Sequence, residues 1–80
     1  MPKKRVHLTF PEDLVQEPVI YRLAKDFDII TNIRRANVEE TFGWVILELD
    51  APEDALARGL AYLEGLGVQV STIAGDVVEG

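Results

Sequence analysis

Residues Ile29 to Leu49, IITNIRRANVEETFGWVILEL, hold two runs of alternating apolar side chains on either side of a short connection. A period of two is what a strand needs when one face is buried, and a short connection lets two strands pair only antiparallel. In the first run Ile29, Thr31 and Ile33 share one phase, whereas Ala36 and Val38 share the opposite one. One inserted residue exchanges the faces of a strand, so this flip predicts a β-bulge at Arg34-Arg35. In the second run, Trp44 to Leu49, Val45, Leu47 and Leu49 take one face and Trp44, Ile46 and Glu48 the other. Glu39 to Gly43 makes the connection, with Gly43 available for a positive φ. Asn32 stands out, because its amide lies inside a run otherwise built from Ile, Thr and Val.

The remaining elements follow from the same periodicities. Lys4 to Phe10 alternates, with Val6, Leu8 and Phe10 on the inner face, and Pro11 ends the ladder. Glu12 to Glu17 reads as a polar approach to a helix over Glu17–Phe27, with Pro18 in its first turn. Ile20, Leu23, Ala24 and Phe27 form its apolar stripe, and Asp26 and Asp28 sit unfavourably at its negative end. The next strand then starts at Asp28 or Ile29. Asp50 is placed to cap a second helix, Pro52–Gly65, by accepting from the Glu53 amide. Leu56, Leu60 and Leu63 supply its stripe, with Ala55 and Ala61 beside it, and Gly65 or Gly67 ends it. Gly67 to Ile73 reads as a last strand, with Val68 and Val70 in phase. The order is βαββαβ, and two amphipathic helices must share one face of a four-stranded antiparallel sheet. This is an α+β, ferredoxin-like sandwich. One domain over 1–74 is expected, followed by a flexible tail over 75–80.

Eighty residues bury only about 60–65% of their unfolded surface, so the core is thin and self-association would help it. With no cysteine there is no disulfide, thiol nucleophile, thiolate zinc site or iron–sulfur cluster. A net charge of −6 opposes binding to nucleic acid, although Lys3-Lys4-Arg5 and Arg34-Arg35 are locally basic. No apolar run approaches the roughly 18 residues that cross a bilayer, and the three charges near Met1 precede an alternating strand. A cytoplasmic location is the expectation, without membrane insertion.

Chemistry is sparse. No G-x-x-x-x-G-K-[ST] phosphate loop occurs, and Gly59, Gly65 and Gly67 are spaced for helix packing and termination. His7 is the sole histidine, with no orienting acid in view, and reads as a surface residue on the open sheet face. Glu39-Glu40 do not converge, because neighbouring strand residues point apart, and Glu53-Asp54 suit the first turn of a helix. The expectation is a non-enzyme with no cofactor and no metal. By phase the open face carries His7, Thr9, Trp44, Ile46, Gln69 and Ser71, with Arg34 or Arg35 displaced by the bulge. Trp44 and Ile46, with His7, make it a candidate surface for a second copy, giving a homodimer, or for another protein. Asn32 has one acceptor and two donors, enough to grip an ammonium and a carboxylate together. It could equally satisfy the ladder at the bulge.

Asn32-Ile33, together with Pro18-Val19-Ile20, Tyr62-Leu63 and Gly67-Val68, resembles the NIL domain, and the likeness spans Leu8 to Ile73. That family is the small regulatory module at the C-terminus of the ATPase subunit of methionine-uptake ABC transporters. The resemblance implies kinship to ACT-type amino-acid sensors and the strand order 4-1-3-2. It also implies a ligand, L-methionine or a related sulfur-containing amino acid, at Asn32, Ile33, Arg34 and Arg35. Arg34 stands where the family has leucine, which removes an apolar wall for a thioether or supplies a cation for an acidic ligand. The two functions in view are a stand-alone ligand-sensing regulatory module and an interaction module that binds only protein.

Overall fold

The computed structural model describes residues 3–73, so the tail expected over 75–80 lies outside the described residues. Strand β1 (Lys3–Phe10) leads through a one-turn helix α1 (Glu12–Val15) to helix α2 (Val19–Phe27). The hairpin β2 (Ile30–Val38) and β3 (Gly43–Asp50) follows, then α3 (Glu53–Leu66) and β4 (Gln69–Thr72). The four strands are antiparallel in the order β2-β3-β1-β4, which is the expected 4-1-3-2 read from the other edge. Val6, Leu8 and Phe10 of β1 and Val45, Leu47 and Leu49 of β3 face the helices. They close a core with Leu14, Val19, Leu23, Leu56 and Leu63.

The helix expected over Glu17–Phe27 is present as α2 but starts at Val19, and the stretch expected as a polar approach, Glu12 to Glu17, holds the extra one-turn helix α1. A residue before proline is disfavoured in helical conformation, so Glu17 interrupts the run and Pro18 caps a new start. The preceding turn forms because Leu14 has a core to enter. Its amide donates to the Pro11 carbonyl at 2.9 Å, and the Glu17 amide donates to the Leu14 carbonyl at 3.1 Å. At the far end of α2, Asp28 takes the left-handed region, φ 58° and ψ 41°. A left-handed residue cannot belong to a strand, so β2 starts at Ile30 rather than at Asp28 or Ile29. Ile29 instead turns into the core corner between α2 and α3.

That corner depends on Gly59. A Cβ at this position would come within 2.6 Å of Ile29 Cδ1 and 3.0 Å of Leu23 Cδ1, so α3 lies closer to its neighbours than any side chain would permit. Phe27 and Tyr62 complete the contact between the helices, with ring centroids 5.0 Å apart. On α3 the buried residues are Ala55, Leu56, Gly59 and Leu63, whereas Ala61, expected beside the stripe, is exposed. Gly65 lies inside the helix, and Gly67 ends it at φ 104° with its amide on the Glu64 and Leu63 carbonyls. Asp50 does not cap α3, whose start at Pro52 has no side-chain cap. It is the last residue of β3, held opposite both Lys3 and Ile30, and strand alternation turns its carboxylate to the open face. Gly43 has no positive φ either. It opens β3 as a paired residue opposite Phe10 and Val38, and the turn is closed by the Glu39 amide on the Phe42 carbonyl at 2.7 Å.

Candidate functional site

The predicted bulge is present. Ile33 lies opposite Leu47 and Arg35 opposite Ile46, so Arg34 has no counterpart on β3. Directly opposed residues share a face, which puts Thr31 and Ile33 before the bulge, and Ala36 and Val38 after it, all on the helix side. The extra residue keeps the apolar positions of β2 on one side despite their change of phase. Asn32, opposite Glu48, and Arg35 are therefore on the open face, Ile33 is on the other, and Arg34 lies at the step between them. The four candidate ligand residues are neighbours along one strand but do not line a common wall.

Every residue of β2 from Asn32 to Val38 is exposed, and Ile33 is 61% exposed although it points to the helix side. Among the described residues the Asn32, Arg34 and Arg35 side chains make no hydrogen bond or ion pair. The alternative reading of Asn32, that its amide satisfies the ladder at the bulge, therefore finds no bond in the structure. Its donors and acceptor face water.

The open face brings His7, Trp44 and Ile46 together as expected. His7 pairs with Ile46 and has Trp44 as its diagonal neighbour, and the two rings stack with centroids 5.3 Å apart and planes 18° from parallel. Arg35 and Asn37 flank Ile46 and Trp44 on β2, and Ser71 and Gln69 lie opposite His7 and Thr9 on β4. The stack half-buries both rings, so His7 is not the plain surface residue of the sequence reading. It also means that the most exposed apolar side chains are elsewhere: Ile30, Ile33 and Val38 on β2, Phe42 in the turn and Tyr21 on α2. Beside this patch the Arg5 guanidinium donates to Glu48 at 3.3 Å, joining β1 to β3.

A feature that periodicity did not reveal is a cavity of about 220 Å³ between the α1–α2 corner and the turn end of the hairpin. Most of its lining is apolar, from Phe10, Leu14, Val19, Ile20, Val38 and Val45, with Glu17 and Tyr21 also on it. Leu14-Val15, set between acidic residues, was the available signal, but a single apolar turn is too short to show a period. Val38 lines the cavity, whereas Asn32 lies on the opposite sheet face, six residues back, or about 20 Å of strand. One chain does not bring the cavity and Asn32 together.

Elsewhere charge is arranged for local support. Arg22 pairs with Glu17 at 3.4 Å across the α2 start, and Arg58 donates to Asp54 at 3.0 Å one turn along α3. The hydrogen bond from Arg58 holds the Asp54 carboxyl below its usual range. Among the described residues no group of three or more His, Asp or Glu side chains could hold a metal ion, and no helix could cross a membrane.

An antiparallel sheet of order 4-1-3-2 under its helices, with Asn32 on a bulged edge strand, defines a small ferredoxin-like α+β domain. The NIL domain family model matches residues 4–72, and the chain belongs to that family. It is similar to the methionine import ATP-binding protein MetN of Halalkalibacterium halodurans, 27% identical over 74 residues, covering 88% of this chain and 22% of that protein. The corresponding protein of Coxiella burnetii is 29% identical over 72 residues, 85% of this chain and 20% of its own length. The chain thus spans about a fifth of the curated relatives it matches. Among solved structures, the C-terminal domain of an ABC transporter ATP-binding protein from Enterococcus faecalis superimposes with a TM-score of 0.78 at 20% identity. The match covers 89% of this chain and 83% of that one, and it establishes the fold.

Proposed function

We propose that this chain is a non-catalytic regulatory module that senses L-methionine or a related sulfur-containing amino acid and reports it to a protein partner in the cytoplasm. The observation that carries the reading is the Asn32 amide, unpartnered on an exposed strand beside a bulge, in a chain of the NIL family whose relatives are named for methionine import. Asn32 would take the ligand's ammonium and carboxylate, and Arg35, on the same open face, or Arg34 at the step would add charge to the carboxylate, whereas Ile33 on the other face takes no part. Small-ligand sites bury most of their ligand, and a single exposed strand cannot. A second protein surface therefore has to complete the site. A second copy is the proposed cover, with Trp44, Ile46 and His7 of the open face buried in a homodimer.

Titration calorimetry with methionine, homocysteine, cysteine and S-adenosylmethionine tests this. Binding of one of them in the micromolar range, about −8 kcal/mol, and its loss in Asn32→Ala are the expected result. Absence of heat with all four would refute the sensor. The second reading, a module that binds protein alone, is favoured by the exposed Ile30, Ile33 and Val38 on β2.

A further inference from the structure

We propose that the ligand is an adenosyl thioether of an amino acid, the class of S-adenosylhomocysteine, laid along the open sheet face with its adenine on Trp44 and His7. This rests on Asn32 as the group that takes the ammonium and carboxylate, and it adds the rest of the ligand. A second set of recognition groups lies on the same face. His7 and Trp44, on the two central strands, stack with ring centroids 5.3 Å apart, and both residues stay partly exposed. Aromatic rings on the central strands of a four-stranded sheet are a platform on which a nucleobase can stack. Asn37 lies opposite Trp44 on the open face, is exposed, and its amide makes no hydrogen bond among the described residues. An asparagine amide offers the acceptor and donor that match N6 and N7 of adenine.

Distance fixes the length of the ligand. From Glu48, opposite Asn32, to Trp44 is four residues of β3, or about 14 Å of strand. Methionine has about five bonds between its methyl and carboxylate carbons, which span roughly 6 Å at the advance of an extended chain. Held at Asn32, it ends level with Ile46 and leaves Trp44, His7 and Asn37 without a use. An adenosyl thioether has about nine bonds from the glycosidic nitrogen to the carboxylate carbon, roughly 11 Å, and the width of the base supplies the rest. Its sulfur falls near Ile46, beside Arg35. A guanidinium there repels a sulfonium and tolerates a neutral thioether, and the nearby acid, Glu48, is already engaged by Arg5 at 3.3 Å. Charge therefore selects S-adenosylhomocysteine over S-adenosylmethionine. The net charge of −6 opposes a polynucleotide but not one uncharged nucleoside. The plainer reading is that the two rings only shield each other from water, in which case no base has affinity for them.

Titration calorimetry on the full chain with S-adenosylhomocysteine, S-adenosylmethionine, methionine and adenosine tests this. S-adenosylhomocysteine is expected to bind at least tenfold more tightly than each of the other three. Trp44→Leu and Asn37→Ala are each expected to weaken it at least about fivefold and to leave methionine affinity unchanged, whereas Asn32→Ala weakens both. Asn37 is exposed, so its variant keeps the test decisive even if Trp44→Leu loses the fold. The single tryptophan gives one indole N–H resonance, which should move with S-adenosylhomocysteine and not with methionine. Methionine binding that depends on Asn32, with S-adenosylhomocysteine no tighter, would overturn the adenosyl ligand and leave the methionine sensor standing. Tighter binding of the sulfonium, or an unchanged affinity for S-adenosylhomocysteine in Asn37→Ala, would also overturn it. Absence of heat with all of them, homocysteine and cysteine included, would refute both readings.

Discussion

The contact between Gly59 and Ile29 permits a quantitative test of how the two helices are packed. Gly59→Ala adds a methyl whose carbon would start 2.6 Å from Ile29 Cδ1, and both Ile29 and Leu23 are buried. Overpacking of this kind costs about 1–3 kcal/mol, while alanine in a helix interior recovers about 1 kcal/mol over glycine. The net loss for the single variant is about 1 kcal/mol. Ile29→Val removes the clashing carbon and by itself costs about 0.5–1.5 kcal/mol. If the two changes were independent the double variant would lose about 2 kcal/mol. The geometry says otherwise, because the alanine methyl enters the space that Cδ1 vacates. The overpacking disappears, the helix gain remains, and the double variant should lie within about 0.5 kcal/mol of the original chain. For a domain of this size each kcal/mol moves the midpoint by about 4–8 °C. The double variant should therefore melt about 10 °C above the additive expectation. Urea and thermal unfolding followed by circular dichroism measure all four corners of the cycle. Additivity within about 0.5 kcal/mol would refute the argument that Gly59 is set by Ile29.

Other perturbations separate local from tertiary effects. Gly65→Ala should stabilise by about 0.5–1 kcal/mol, since the site is helical with open space around it. Gly67→Ala should cost about 1–3 kcal/mol at φ 104°, and equal effects of the two in thermal melts would contradict the helix end described above. Leu47→Ala, at the centre of the sheet and fully buried, should cost about 2–5 kcal/mol, enough to leave much of this small domain unfolded by near-ultraviolet dichroism. Asp54 has a lowered pKa in the folded chain, so what its pair with Arg58 contributes is present above the usual carboxylate range and lost as pH falls below it. Asp54→Asn should then flatten stability against pH only on the acid side, by an amount small enough to need a side-by-side melt.

What the chain determines locally is what could be read from it. The alternation of Val6, Leu8 and Phe10, and of Val45, Leu47 and Leu49, sets which faces are buried. The phase flip between Ile33 and Ala36 requires a bulge wherever the strand is placed. Proline positions and Gly67 mark helix boundaries for the same reason, since each acts on its own backbone. The exposure of β2 could not be read this way. Ile33 and Val38 have the pattern of buried residues and point to the helix side, but whether anything covers an edge strand depends on elements distant in sequence. The same holds for the cavity, where Leu14 and Val15 meet Val38 and Val45 from another part of the chain, and for the His7–Trp44 stack, set by the pairing of β1 with β3. Asn32 could be singled out from its neighbours in the strand, but that its amide has no partner depends on three-dimensional proximity. Periodicity reports which way a side chain points. Only the packed structure decides what, if anything, it meets there.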